Sequence, residues 1–240
     1  MNTILQAKAL TKRFGSVVAV DNLDVEVAAG ETVCLLGSNG AGKSTTINLF
    51  LGFLTPSGGR AEVMGLDAAD REQQVRRHLA YIPESVSLYG ALSGLENLEL
   101  FERLGGGKAE RAELVALLAA VGLPEDAVGR PLSTYSKGMR QKVGIAIAMA
   151  KEAKALLLDE PLSGLDPESA NDFCKLIRRF RDGGGAILMA THDIFRAKEV
   201  GSRIGIMREG ELVKMLDPSA LDALEIENIY LDHIHAGREQ

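Results

Sequence analysis

Cysteine is scarce: the chain has two, Cys34 and Cys174. Neither belongs to a C-x-x-C pair, which argues against a zinc site and a disulfide scaffold and suits a reducing compartment. Cys34 lies inside the apolar run Thr32–Leu36 and reads as a small buried hydrophobe. Long apolar runs are missing too. A helix that crosses a bilayer needs about 18 or more consecutive apolar residues, and the longest stretch, Leu114 to Leu123, falls well short. The chain is therefore not expected to cross a membrane by itself. The first residues, Met1 to Lys8, lack a basic region followed by an apolar one, so no secretory leader is expected. A charge excess of basic sign is absent: 27 Lys and Arg stand against 33 Asp and Glu, a net charge of −6. That excludes a global basic field, and no nucleic-acid partner is expected. Neither a repeat of solenoid length nor a low-complexity tract is present.

What remains is an ordinary globular composition, 46% apolar and 25% charged over 240 residues. That length suits one large domain or two small ones, with a core that needs no staples. Leu23-Asp-Val-Glu-Val27 alternates like a half-buried strand, and Thr32–Leu36 reads as a fully buried one. A helix is expected from Lys43 to about Phe53, broken by Thr55-Pro-Ser-Gly-Gly59. The middle, from about residue 90 to 151, is mostly helical. Ser93 is placed to cap one helix, Ala109–Val121 has one apolar face, and Lys137–Ala150 forms a third. The last third alternates: strand Ala155–Leu158, helix Glu168–Arg181, strand Ala186–Ala190, helix Ile194–Val200. Such alternation implies a parallel sheet with helices on its faces, interrupted by the helical middle.

Between the buried strand and the first helix stands Gly37-Ser-Asn-Gly-Ala-Gly-Lys-Ser44, which satisfies G-x-x-x-x-G-K-[ST]. Glycines let the backbone curl so that its N–H groups face phosphate oxygens, and the helix presents its positive end to the same place. Lys43 would bind the β- and γ-phosphates and Ser44 would coordinate Mg²⁺. Ala155–Glu160 is an apolar strand ending in two acids. Asp159 is positioned to hold Mg²⁺, and Glu160 to orient or deprotonate a water.

Ser136-Lys-Gly-Met-Arg-Gln141 precedes that strand, Ser163-Gly-Leu-Asp166 follows it, and His192 stands just beyond the strand at 186–190. In this order the motifs resemble the ATP-binding cassette (ABC) ATPase family, from about Ile4 to about Leu216. The resemblance implies an α/β fold: a RecA-like P-loop core with an antiparallel β subdomain and an inserted α-helical subdomain. It divides a single domain into residues 1–88 and 152–216 (core and β part), about 89–151 (helical, with the signature) and 217–240 (C-terminal helices). Phe14 would stack on adenine. Gly37, Ser38, Asn39, Gly40, Ala41, Gly42, Lys43, Ser44 and Thr45 would form the phosphate loop, with Ser136 and Gly138 of the signature completing the site from a second copy. Ser44, Asp159 and Glu84 would hold Mg²⁺; Glu160, His192 and Lys43 would carry catalysis.

Two motifs depart from the family. Glu84 stands where a Gln is usual, and Tyr135-Ser-Lys-Gly-Met139 where Leu-Ser-Gly-Gly-Gln is usual. Lys137 would add positive charge toward a phosphate. Both departures resemble the exporter branch in bacteria. The implied function is an ATP-hydrolysing subunit of a transporter, at the cytoplasmic face of the membrane. Its partners would be transmembrane permease subunits and a second cassette subunit. Alternatives are a soluble ABC ATPase acting on nucleic acid or ribosomes, and a mechanical ATPase that moves a membrane protein without a solute. Locally, Phe14 also fits a core aromatic, His192 a helix cap and Glu84 a solvated turn acid.

Overall fold

The computed structural model describes residues 2–235. Along the chain, β1 (Thr3–Phe14) and β2 (Val17–Ala28) form a hairpin, followed by β3 (Thr32–Leu36) and α1 (Lys43–Phe50). Then come β4 (Gly58–Val63), β5 (Leu66–Asp67), α2 (Glu72–His78) and β6 (Leu79–Ile82). The helical stretch holds α3 (Gly94–Leu104), α4 (Arg111–Ala120) and α5 (Lys137–Ala150). The last part runs β7 (Ala155–Asp159), α6 (Pro167–Asp182), β8 (Ala186–Thr191), α7 (Ile194–Val200), β9 (Arg203–Arg208), β10 (Glu211–Leu216) and α8 (Ala223–His235).

Two sheets result. One is antiparallel, in the order β2-β1-β4-β5; the other has six strands in the order β10-β9-β3-β8-β7-β6. In the second sheet β9, β3, β8, β7 and β6 are parallel, and β10 returns antiparallel at one edge. Every parallel pair is joined by a crossover and not by a tight hairpin, and β3 lies between β9 and β8, both far from it in sequence.

Side-chain alternation explains the layers. From β3, Cys34 and Leu36 enter one hydrophobic cluster with Leu156, Leu158, Ile187 and Met189, against the helices. Val33 and Leu35 enter a second cluster with Leu157, Leu188, Phe50 and the antiparallel sheet. All five residues of β3 and all six of β8 are buried, so both faces are covered, as their unbroken apolar runs predict. Each such Leu or Val stabilises the fold by about 1.5–3 kcal/mol. β2 keeps the expected alternation, with Leu23, Val25 and Val27 inward and Asp24 and Glu26 outward.

Caps set the helix starts. Ser93 Oγ accepts from the Glu96 N–H (3.1 Å) and the Glu96 carboxylate accepts from the Ser93 N–H (2.8 Å), a reciprocal pair that fixes α3. Asp166 caps α6 ahead of Pro167 at its first position. α1 ends at Phe50, three residues before the expected Phe53. The chain turns there through Gly52, at φ +67°, where a Cβ would lie 2.6 Å from Ala68 O. α4 begins at Arg111 rather than Ala109, because Glu110 and Glu113 form its capping pair. Of the expected C-terminal helices, α8 is present; residues 236–240 lie outside the described residues.

Candidate functional site

Parallel strands bring their carboxyl ends to one edge. Leu36 pairs with Thr191, and Asp159 pairs with Ala190. The glycine loop leaving β3, the acids ending β7 and the histidine leaving β8 therefore meet at the same place, a crevice where such sheets bind ligands. Ser44 Oγ donates to Asp159 Oδ1 at 3.0 Å. Lys43 is buried and donates to the carbonyls of Gly37 (2.6 Å) and Ser38 (3.1 Å), with its Nζ 3.7 Å from Glu160 Oε1. His192 Nδ1 lies 2.9 Å from Glu160 Oε2.

The loop requires its glycines. A Cβ on Gly37 would lie 2.6 Å from Met207 O and 2.9 Å from Ala41 Cβ, and Gly42 sits at φ +102° as it enters α1. The N–H groups of Gly40, Gly42, Lys43, Ser44 and Thr45 have no acceptor among the described residues. Glu160 Oε1 is buried and has no hydrogen-bond partner among the described residues. Its residue also holds φ +47°, a left-handed conformation that costs a non-glycine residue about 1–3 kcal/mol. Free donors, a buried ammonium and a strained, orphaned carboxylate oxygen together fit a phosphate chain and a water.

Electrostatics point the same way. Burial lowers the Lys43 pKa below the ordinary lysine value, while Glu160 and Asp159 oppose that shift. Burial raises Asp159 above the ordinary aspartate value; the Ser44 hydrogen bond opposes, and the charges of Glu160 and Glu84 add to the rise. A divalent cation would relieve this crowding of acids. The donor set of Ser44, Asp159 and Glu84 consists of oxygens, as Mg²⁺ requires.

Glu84 follows β6 and is exposed; its Oε1 accepts from Ser163 Oγ at 2.9 Å. Asp193, not His192, caps α7, by accepting from the Arg196 N–H. His192 is thus left 63% exposed and free to face the loop. Phe14 ends β1 with 47% of its surface exposed, so it is no core aromatic; Lys12 Nζ lies 5.0 Å from its ring centre. Ser136 caps α5 by accepting from the Met139 N–H, which leaves its own O–H free to donate. Among the described residues no hydrogen bond or ion pair joins Ser136 or Gly138 to the loop at 37–45. Lys137 does not present a free charge: its Nζ donates to Ser163 O at 2.5 Å. Gln141, fully buried on α5, donates from its amide to Pro161 O. Sequence reading passed over Gln141, whose signal was a lone amide at the start of an otherwise apolar helix face.

Residues 20–163 match the family described as ABC transporter. The ABC transporter ATP-binding protein YbhF of Escherichia coli is 35% identical over 223 residues, 92% of this chain and 38% of that protein. The daunorubicin/doxorubicin resistance ATP-binding protein DrrA of Streptomyces peucetius is 37% identical over 211 residues, 87% of this chain and 64% of that protein. The chain therefore spans less than two thirds of the length of these relatives. A dimeric ATP-binding cassette in a post-hydrolysis state, bound to ADP and Pi, superposes with a TM-score of 0.80 at 25% identity, covering 90% of this chain and 99% of that one.

Proposed function

The chain belongs to the ABC transporter family, and from that membership we propose that it is the ATP-hydrolysing, nucleotide-binding subunit of an exporter whose membrane-spanning subunits are other chains. The observation that carries the reading is the meeting of Lys43, Glu160 and His192 at the mouth of the glycine loop. The drug-resistance relative supports the exporter direction.

Lys43 is held by two loop carbonyls and is poised to exchange them for phosphate oxygens. The free N–H groups of Gly40, Gly42, Lys43, Ser44 and Thr45 bind and orient the same oxygens. Glu160 accepts a proton from water at its unpaired Oε1, and His192 keeps that carboxylate aimed through Oε2. Ser44, Asp159 and Glu84 would hold Mg²⁺, which when bound neutralises phosphate charge. Phe14 offers an exposed face to a base.

Ser136 and Gly138 sit apart from the loop of their own chain, so a second cassette would have to supply them. The free hydroxyl of Ser136 and the N-terminal end of α5 then complete the phosphate shell. ATP would favour the closed pair, and loss of phosphate would release it.

No helix among the described residues is long and apolar enough to cross a membrane. The membrane partner would dock at the cytoplasmic face on the surface near residues 84–104. Phe53, Tyr89 and Leu104 are exposed there, with Arg76 5.6 Å from the Phe53 ring centre and Phe101 beside Tyr89. A cleft of about 990 Å³ beside them is lined by Arg76, Arg77, Lys108 and Lys151 among others. The segment under that surface is joined to the residues before the signature: Leu132 N–H donates to Leu92 O and Ser133 N–H to Gly90 O. A push at the docking surface would thereby reach Ser136.

The test is ATP hydrolysis by the purified chain and by Glu160→Gln. The variant is expected to bind ATP and to hydrolyse it at least about 10²-fold more slowly. Hydrolysis at the parental rate would overturn the assignment.

A further inference from the structure

Two of the departures from the family pattern, Glu84 and Lys137, touch one residue. Ser163 Oγ donates to Glu84 Oε1 at 2.9 Å, and the Ser163 carbonyl accepts from Lys137 Nζ at 2.5 Å. One turn along α5, Gln141 donates to Pro161 O. Positions 137 and 141 are i and i+4, so they lie on the same helix face. That face grips the segment 161–163 at two carbonyls. Between them Gly138 packs against Ser169, where a Cβ would lie 3.0 Å from its side chain.

A lysine at the first position of a helix is electrostatically misplaced. The N-terminal end carries about half a positive charge, and a cation there is disfavoured. Ordering the long side chain costs further entropy. The Ser163 carbonyl offsets both, and Gly164, at φ +66°, leaves open space where a side chain would come within 3.8 Å of the ammonium. A glycine at position 137, usual in the family by the resemblance above, reaches nothing.

We propose that Lys137 is a positioning residue that acts within its own chain: with Gln141 it fastens the segment 161–163 to α5, and through Ser163 it holds Glu84 in place. Rotation of α5 then carries with it the exit from the Glu160 strand and the carboxylate of Glu84. The charge is spent on this fastening and not on a phosphate held by a second copy. The structural part stands on the contacts alone; its kinetic consequence rests on the ATPase reading.

The experiment is hydrogen exchange on the nucleotide-free chain, compared among the parent, Lys137→Met and Lys137→Arg. The reporters are the amides of Ser163 and Leu165, which donate to Glu160 O and Leu162 O. Loss of one hydrogen bond on a loop is expected to speed their exchange by roughly tenfold in Lys137→Met. Lys137→Arg, which still reaches a carbonyl, is expected to stay within about twofold, and residues 37–45 to be unaffected. In steady-state assays Lys137→Met should lower kcat about fivefold with KM for ATP unchanged, and Lys137→Arg should restore it. Unchanged exchange at 163 and 165 in Lys137→Met overturns the proposal, as does an effect seen only as a raised KM. Because the exchange measurement needs no nucleotide, a chain unable to hydrolyse ATP would still return an answer on Lys137.

Discussion

His192 Nδ1 and the Glu160 carboxylate lie 2.9 Å apart although 32 residues separate them in the chain. The contact exists because β7 and β8 are parallel neighbours whose ends coincide. It divides the two carboxylate oxygens: Oε2 is occupied by the imidazole, and Oε1, with no hydrogen-bond partner among the described residues, lies 3.7 Å from the Lys43 ammonium. His192→Ala should therefore lose aim at Glu160 while leaving the loop intact. ATP hydrolysis is expected to fall about 10²-fold, with ATP affinity changed less than about threefold. Glu160→Gly should abolish hydrolysis and yet raise stability by up to about 1 kcal/mol, since it relieves the left-handed strain at φ +47°. Urea denaturation of this variant beside the parent checks the second half; a clear loss of stability would show that the strain is absent.

Tyr135 occupies the place where the family usually has leucine. It is buried, and its hydroxyl donates to Ala127 O at 2.6 Å. Gly94 makes room for it, since a Cβ there would lie 2.5 Å from the hydroxyl. Burial raises the phenol pKa, so the O–H remains a donor at neutral pH. Tyr135→Phe is expected to cost about 1 kcal/mol by leaving the Ala127 carbonyl unpaired. Tyr135→Leu, which restores the usual family residue, should cost more, about 2–4 kcal/mol, because it also leaves a cavity beside Gly94. Equal denaturation midpoints for Tyr135→Leu and the parent would contradict this account of the signature's first position.

Glu199 ties α7 to α6. Its carboxylate accepts from Arg196 (2.6 Å) on its own helix and from Arg178 (3.1 Å) on the other. Burial pushes its pKa up, but the two guanidinium hydrogen bonds outweigh burial and hold it below the ordinary value of 4.5. A depressed carboxylate contributes stability that is fully present above its unfolded pKa. That stability is lost as pH falls through the lower, folded value. Thermal melting between pH 6 and 3 should show a steeper acid loss in the parent than in Glu199→Gln. At pH 6 the variant should be about 1–2 kcal/mol less stable. Parallel acid limbs would mean that the pair contributes nothing.

Much of the site was legible in the one-dimensional chain because its parts are local. Gly37 to Ser44 are consecutive, Asp159 and Glu160 close an apolar strand, and Ser93 is a cap read within three residues of the helix that it starts. The two faces of β3 were not legible, because Val33, Cys34, Leu35 and Leu36 are all apolar; only the packed sheet sends Cys34 and Leu36 to one cluster and Val33 and Leu35 to the other. Helix ends were less legible: α1 stops at Phe50 because Gly52 packs against Ala68, a contact that no short window contains.

By itself the sequence determined the strands and helices that flank the site motifs, which residues carry phosphate chemistry, and that the loop sits between a strand and a helix. These follow from periodicity, capping and backbone conformational limits, whose range is a few residues. Tertiary structure alone decided the assignments that cross the sheet. It paired Ser44 with Asp159, gave one oxygen of Glu160 to His192, left Phe14 on the surface, and turned Lys137 toward Ser163. Those outcomes depend on the order β3-β8-β7-β6 and on where α5 lies beside α6. Nothing in local pattern sets that order, because long-range partners are selected by burial of whole faces and not by neighbours along the chain.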